Sequence, residues 1–232
     1  MSGKFFYILG NIRSMRFDLH IHSKYSSDSR LAIEDILRKA VQRGLDGIAI
    51  CDHNTVAGSY HARKFVTKLN LPLLVLPGVE VSTTQGHLIV LGVKDNIPSG
   101  MTPQETIKIA RQKGGVVIAP HPFKIRSIGN VDGLDIDAIE TFNSRCIFGE
   151  NEKARKMAIE LGKPQVGGSD SHMLGTIGLG YTEIDAQPYE ASVLNAIRKG
   201  NTCPGGKNAP IYIIILQVFR GVLRRLRTSR SK

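Results

Sequence analysis

The sequence has no tryptophan, only three cysteines and no apolar run long enough to cross a lipid bilayer. The cysteines, Cys51, Cys146 and Cys203, are odd in number and widely spaced, which argues against a disulfide framework and favours a reducing, cytoplasmic location. The strongest apolar run, IYIIIL at 211–216, is far shorter than the ~18 residues of a spanning helix. No Gly-x-Gly-x-x-Gly or Walker loop follows the first apolar segment, so a dinucleotide or nucleoside triphosphate fold gains no support.

The two ends of the chain differ from its body. Residues 1–14 contain the apolar run FFYIL, which is shorter than the ~7–15 residues of a signal-peptide core, so we expect an N-terminal extension. Residues 206–232 hold seven basic residues and no acidic one, and therefore carry most of the net charge of +11. Apolar residues mixed with arginines predict a basic amphipathic tail that contacts nucleic acid or anionic lipid. The alternative is that IYIIIL packs against the body of the protein.

The body, residues 15–205, alternates short apolar runs with segments of helical periodicity. Residues 57–69 read as a helix, and Thr102 followed by Pro103 predicts another helix with a capped start. Near-continuous apolar runs are typical of strands that are buried on both faces of a parallel sheet. This alternation predicts an α/β fold, either a barrel or an open doubly wound sheet.

Metal-capable side chains follow the predicted strands. They comprise His20 and His22, Asp52 and His53, Glu80, His121, Glu140, and Asp170 and His172, while His87 begins a strand and His61 lies in a helix. Because the carboxyl ends of parallel barrel strands open onto one face, these side chains are expected to converge at one mouth.

A single histidine at a strand end is usually structural, but so many buried ionisable groups together are costly without cations. In His-x-His both imidazoles lie on the same face of a strand, because the side-chain period is two. A mixed nitrogen and oxygen donor set suits Zn²⁺, Mn²⁺ or Fe²⁺. Nine or so ligands predict two or three metal ions. Asp52 precedes His53 and is expected to point away, as a support for the ligands.

Five segments, DLHIHSKYSSDS, CDHNT, GVEVS, APHPF and GGSDSH, resemble in order and context the PHP superfamily, named for polymerase and histidinol phosphatase. The resemblance covers residues 15–205 and implies a single-domain, distorted (β/α)7, TIM-like barrel with a trinuclear metal site. It implies that one metal is held by His20, His22, Glu80 and Asp170. Glu80 would bridge to a second metal, which His121 and His87 also hold, and Asp28, His53 and His172 would hold the third.

The resemblance further implies a metal-dependent phosphoesterase. We expect Asp170 and His172 to assist proton transfer, and Lys124, Arg126 and Arg145 to bind the substrate phosphate. A nucleotide or short RNA is the expected substrate, and a histidinol-phosphate-type phosphatase is an alternative. A second hypothesis makes the barrel a scaffold and the basic tail a nucleic-acid or membrane-surface binding element.

Overall fold

The computed structural model describes residues 12–125 and 127–215, and the structural statements below concern these residues. The strands are β1 (Arg13–Ile21), β2 (Gly47–Ile50), β3 (Leu74–Thr83), β4 (Gly86–Leu91), β5 (Val116–Ala119), β6 (Ala138–Asn143), β7 (Gln165–Gly168), β8 (Gly180–Ala186) and β9 (Thr202–Gly206). The helices are α1 (Ile33–Gln42), α2 (Ala57–Leu69), α3 (Pro103–Gln112), α4 (Glu150–Glu160) and α5 (Glu190–Lys199), with a 3-10 turn at Leu174–Thr176.

The strands form one sheet in the order β7-β6-β5-β4-β3-β2-β1-β8-β9. A further bridge between Ile21 and Ser171 joins the segment after β7, the first strand of the sheet, to the end of β1, with the Ser171 carbonyl accepting from His22 N at 2.9 Å. The fold is therefore the distorted TIM-like barrel expected from the sequence. The expectation of a parallel sheet is wrong in detail, because β4 runs antiparallel to β3 and β5, and β8 runs antiparallel to β1 and β9.

The core has an inner and an outer part. The inner cluster joins side chains of strands β1 to β8 and is closed by apolar residues of α5, such as Val193 and Ile197. Two outer clusters pack α1 and α2 against β1 to β3, and α3 and α4 against β3 to β6. Both faces of the central strands, such as β2 and β5, are thus buried, which explains why they read as continuous apolar runs.

Local signals explain most element boundaries. Thr102 caps α3, accepting from Glu105 N, while the Glu105 side chain accepts from Thr102 N at 2.9 Å, and Pro103 follows the cap as expected. Helix α2 matches its predicted range, residues 57–69. Strand β9 was not predicted from the sequence.

The predicted domain limits stay a prediction, with two observations at the ends. Strand β1 begins at Arg13, so Arg13 and Ser14 pair with β8 and do not precede the barrel. Residues 1–11 and most of the proposed tail, 216–232, lie outside the described residues, so the predicted tail contact with nucleic acid or lipid also stays a prediction. Among the described helices, none is long and apolar enough to cross a membrane.

Candidate metal centre

The barrel brings all nine predicted ligands together at one end. His20 and His22 lie at the end of β1, His53 and His121 follow β2 and β5, and Asp170 and His172 follow β7, while Asp28 comes from the β1–α1 loop. Glu80 lies within β3, opposite Ile89 of the antiparallel β4. The start of an antiparallel strand lies beside the end of its partner, so His87 also reaches this end of the barrel.

Strand β1 needs an irregularity to present its histidines. Met15, Phe17 and Leu19 face the inner core, and strict alternation would turn His20 and His22 to the other face. The pairing of β1 with β2 shifts register between Asp18 and Ile21. A β-bulge of this kind re-aims the side chains that follow it. Both histidines are consequently fully buried.

The carboxylate of Glu80 is the centre of the cluster. It is 1% exposed and lies among five imidazoles. Its Oε2 atom is 3.2 Å from His22 Nε2, 3.5 Å from His20 Nε2 and 3.4 Å from His53 Nδ1, and its Oε1 atom is 3.2 Å from His87 Nδ1 and 3.3 Å from His121 Nε2. Both oxygens of this carboxylate therefore face imidazole nitrogens, which suits a carboxylate that is shared by two metal ions.

Two further carboxylates complete the cluster. Asp170 Oδ1 lies 3.6 Å from His22 Nε2 and 3.9 Å from His20 Nε2. Asp28 Oδ2 lies 2.7 Å from His172 Nε2 and 3.4 Å from His53 Nε2. Four overlapping groups have donor atoms within 4.8 Å of one another: His20, His22 and Asp170; His20, Glu80 and His121; His22, Asp28 and His172; and His22, His53 and Glu80.

The second ring nitrogen of several histidines is fixed by a neighbour. His20 Nδ1 lies 3.0 Å from Glu140 Oε1, and His121 Nδ1 lies 2.8 Å from Ser127 Oγ. His22 Nδ1 lies 3.3 Å from Ser26 Oγ, whose own proton goes to Asp28 at 2.7 Å. Such contacts set the tautomer of a metal-binding imidazole and leave its Nε2 atom for the metal.

These tautomers make the centre fit a cation. If Nδ1 of His20 and of His22 carries the proton, both Nε2 atoms present lone pairs, and they lie only 3.1 Å apart beside Glu80 Oε2. Facing lone pairs require a proton or a metal ion between them. Among the described residues, Glu80 Oε1 and His53 Nδ1 are also buried without a hydrogen-bond partner. The residues present thus fit a metal ion by geometry as well as by donor type.

The backbone is strained at two of these positions. His121 has φ +30° and Asp170 has φ +52°, both in the left-handed region that non-glycine residues rarely adopt. Each residue is the second after the end of its strand, where the chain must turn while the side chain stays over the mouth. Strain of this kind costs about 1–3 kcal/mol per residue and persists where the surroundings hold it in place.

The charges of the cluster set the protonation of its members. Burial works to raise the pKa of Glu80 and of Asp170, but neighbouring positive groups hold both pKa values well below the ordinary range. Burial opposes protonation of His20 and His53, yet the surrounding carboxylates raise the pKa of His20, and raise that of His53 to about 9. Burial and the nearby His22 lower the pKa of His172 to about 4. The carboxylates are therefore ionised at neutral pH, as metal ligands must be.

Two of the three predicted phosphate-binding cations lie at the edge of the cluster. Lys124 Nζ is 2.5 Å from Asp170 Oδ2, and Arg145 Nη1 is 2.9 Å from Asp170 Oδ1. Arg126 lies outside the described residues. The loops that follow β5 and β6 thus place positive charge beside Asp170, at the mouth of the barrel.

Two supporting carboxylates, Glu140 and Asp18, were not assigned as metal ligands or catalytic residues from the sequence. Glu140 contacts His20 and also accepts from His121 N and Asn143 Nδ2, each at 2.9 Å. Asp18 is fully buried and accepts from the backbone N–H groups of His20, Ser169 and Gly178 at 2.8–3.2 Å. A carboxylate in an otherwise apolar strand was the available signal for both Asp18 and Glu140.

Asp52, which its place before His53 predicts to be a support for the ligands, binds Ser23. Its two oxygens accept from Ser23 N and Ser23 Oγ, both at 2.6 Å. This pair ties the segment after β1 to the segment after β2.

Comparison with protein-family models gives two matches, a PHP domain at residues 18–117 and a PHP-associated region at residues 148–202. The chain belongs to the PHP superfamily. An uncharacterized protein of Methanocaldococcus jannaschii is 36% identical over 143 residues, which are 56% of this chain and 82% of that protein. The 5′-3′ exoribonuclease Rnm of Salmonella typhimurium is 32% identical over 123 residues, which are 50% of this chain but only 41% of the exoribonuclease.

Solved structures of low sequence identity share the PHP fold. A two-domain protein from Bacteroides vulgatus, containing a predicted PHP-like metal-dependent phosphoesterase, matches with a TM-score of 0.71 at 17% identity. The match covers 84% of this chain and 66% of that protein. The PHP family and the named relative together support a hydrolase that acts on phosphoric esters.

Proposed function

We propose that this PHP protein hydrolyses a phosphomonoester or phosphodiester bond in a nucleotide or short oligonucleotide. The observation that carries the proposal is the buried Glu80 carboxylate, which faces imidazoles on both of its oxygens and belongs to two of the four donor groups. Ligand groups that share a residue suit metal ions that lie close together. Pairs of metal ions are typical of enzymes that catalyse displacement reactions of phosphate esters.

The proposed ligands are divided among three metal positions. His20, His22, Glu80 and Asp170 hold one ion, Glu80, His87 and His121 hold a second, and Asp28, His53 and His172 hold a third. Zn²⁺, Mn²⁺ or Fe²⁺ suits the mixture of imidazole and carboxylate. When bound, such ions acidify a water molecule and offset negative charge on phosphate oxygens.

The protein's own groups complete the proposed reaction. Lys124 and Arg145, together with Arg126, bind phosphate oxygens at the mouth and neutralise their charge. The pKa of His172, lowered to about 4, keeps this imidazole neutral at pH 7, as a metal ligand must be, and its assignment to proton transfer together with Asp170 stays part of the proposal. Asp170 lies 3.5 Å from His172 Nδ1 and steadies the proton-bearing ring.

The test combines metal analysis with a substrate panel. The purified protein is expected to hold two or three transition-metal equivalents and to release phosphate or nucleotide from one of AMP, a nucleoside 3′,5′-bisphosphate, histidinol phosphate or a short RNA. Turnover of histidinol phosphate alone would replace the nucleotide assignment with the alternative phosphatase.

A matched pair of variants checks that the cluster is responsible. Glu80→Gln is expected to lose bound metal and activity, whereas Glu183→Gln, at an exposed glutamate paired with Arg16, keeps both. Metal-free protein that hydrolyses nothing after Mn²⁺ or Zn²⁺ is added would refute the proposal.

We also propose a cytoplasmic location. Cys51, Cys146 and Cys203 are free thiols in the structure, which suits a reducing compartment.

A further inference from the structure

A polar groove lies beside the metal centre, in the loop between β1 and α1. Its volume is about 400 Å³, and it is lined by Lys24, Ser26, Ser27, Ser29 and Arg30. Ser26 belongs to both regions, because its hydroxyl donates to Asp28 and lies 3.3 Å from His22 Nδ1. The groove therefore continues outward from the cluster, and both of its charged residues, Lys24 and Arg30, are positive and exposed.

Three aromatic rings extend the groove along its Lys24 side. Tyr25 stacks on His61 of α2, with the rings nearly parallel at a centroid distance of 4.9 Å. Tyr60, which is 57% exposed, meets His61 edge-on at 5.8 Å. Helix α2 begins at Ala57, four residues after His53 in the loop that follows β2, so Tyr60 and His61 in its first turns lie at the metal-site end of the barrel.

Cations accompany the rings. Lys24 Nζ lies 5.6 Å from the centre of the Tyr25 ring, and Lys64 Nζ lies 4.4 Å from the centre of the Tyr60 ring. No acidic residue lies in the first turn of α2. Exposed or half-exposed rings alternating with lysine and arginine are the pattern by which proteins hold single-stranded nucleic acid, because bases stack on the rings and phosphates follow the cations.

We propose that the groove and the adjoining residues Tyr25, Tyr60, His61 and Lys64, together called the α2 strip, bind a single-stranded oligonucleotide whose end reaches the metal centre. The proposal rests on the proposed phosphoesterase function and narrows its substrate to a chain of several nucleotides. An acidic peptide would use the cations and leave the rings without partners.

The test measures binding and turnover by the full-length protein. Fluorescence anisotropy gives the Kd for phosphorothioate-linked uridine oligomers of two and six residues, which resist cleavage. Steady-state kinetics compare kcat/KM for a six-residue RNA with kcat/KM for p-nitrophenyl phosphate. The test variant is Tyr60→Ala with Lys64→Ala, Tyr60→Phe is the variant that keeps the ring, and Tyr189→Ala with Lys199→Ala is the matched control on α5.

We expect the six-residue oligomer to bind more tightly than the two-residue one. Loss of Tyr60 and Lys64 should raise the Kd of the longer oligomer about tenfold or more. It should lower kcat/KM for the six-residue RNA, relative to kcat/KM for p-nitrophenyl phosphate, to the same extent. Loss of Lys64 should also reduce the slope of log Kd against log salt by about 0.7. Tyr60→Phe and the α5 control should bind like the wild type.

Three results would overturn the strip. They are equal Kd values for the two lengths, a test variant within twofold of the wild type, and displacement of the oligomer by polyglutamate as readily as by unlabelled RNA. If no ester is hydrolysed, the proposed function fails, while the comparison of Kd values still shows whether the α2 strip binds an oligonucleotide. If p-nitrophenyl phosphate is hydrolysed but length has no effect, the strip fails and the phosphoesterase stands.

Discussion

Glu140 is the residue whose replacement by glutamine tests the reasoning about the metal centre most sharply. Its Oε1 faces His20 Nδ1 at 3.0 Å, and its Oε2 accepts from the backbone N–H of His121 and from Asn143 Nδ2. Glutamine has the same shape but only one accepting atom. If the amide oxygen faces His20, the amide nitrogen confronts two donors. If the amide oxygen instead accepts from His121 N and Asn143 Nδ2, the amide nitrogen donates to His20 Nδ1. The proton of His20 must then lie on Nε2, the atom that points at Glu80.

Either orientation has a calculable effect. Replacing a residue that supports a metal ligand typically weakens metal binding by about 10–100-fold, which corresponds to about 1.4–2.7 kcal/mol. The loss of a charge-assisted hydrogen bond from a side chain that is 1% exposed should lower the free energy of unfolding of the metal-free protein by about 1.5–3 kcal/mol.

The assay is competition for Zn²⁺ against a chromophoric chelator, with urea unfolding of the chelated protein measured in parallel. Glu183→Gln serves as the control, because it removes a charge from an exposed glutamate on β8. Wild-type zinc affinity in Glu140→Gln, with normal folding, would refute the view that Glu140 fixes the tautomer of His20.

Three other changes should have measurable effects. A chelator should lower the melting temperature, because ions that bind only the folded state at 100 times their Kd add about 2.7 kcal/mol per site, and an unchanged melting curve would contradict this. Metal binding at about pH 7 should release protons and should strengthen as pH rises toward 9. The reason is that the pKa of His53 is raised to about 9 and that of His20 is also raised, whereas an imidazole must be neutral to bind a metal. Calorimetry in buffers of different ionisation enthalpy measures the proton release, and the absence of any release would contradict the prediction. Gly168→Ala should weaken zinc binding and cost about 1–3 kcal/mol of stability, because the new Cβ would lie 2.5 Å from His20 Cβ and 2.7 Å from Glu140 Oε1. Gly175→Ala is the control, because its new Cβ would have no atom within 4 Å. Equal zinc affinities for the two variants would contradict the prediction.

The barrel could be predicted because its strands and helices carry strong local signals. Apolar runs of strand length alternate with amphipathic segments, and the Thr102–Pro103 start of α3 has its own chemistry. Strand direction was harder, because the alternation of buried and more exposed residues along Gly180–Ala186 indicates a strand but not the direction in which it runs. Strand β9 escaped prediction because Thr202–Gly206 contains proline and glycine and lies at the edge of the sheet, where the hydrogen-bonding demands are lower.

The gathering of metal-capable residues was predictable, and their supports were not. Strand ends placed His20, His22, His53 and His121 at one mouth from sequence alone. The neighbourhood of His87 and Glu80 depends on the tight β3–β4 hairpin, in which His87 pairs with Ser82. The bulge in β1 and the positive φ at Asp170 arise from tertiary contacts, so no local pattern announces them.

The charge of the centre links metal binding to substrate choice. Asp28, Glu80 and Asp170 bring three negative charges to the mouth, and their low pKa values keep them ionised. Without ions, Lys124 and Arg145 both pair with Asp170, and the protonated His20 and His53 lie beside Glu80, so the carboxylates already engage the positive groups that a phosphate would need. Two divalent ions more than neutralise the three carboxylates, and a third leaves a surplus that a phosphate dianion can balance. An anionic substrate should therefore bind tightly only to the metal-loaded protein, whereas the α2 strip, which binds through its rings and through Lys24, Arg30 and Lys64, should hold an oligonucleotide in either state.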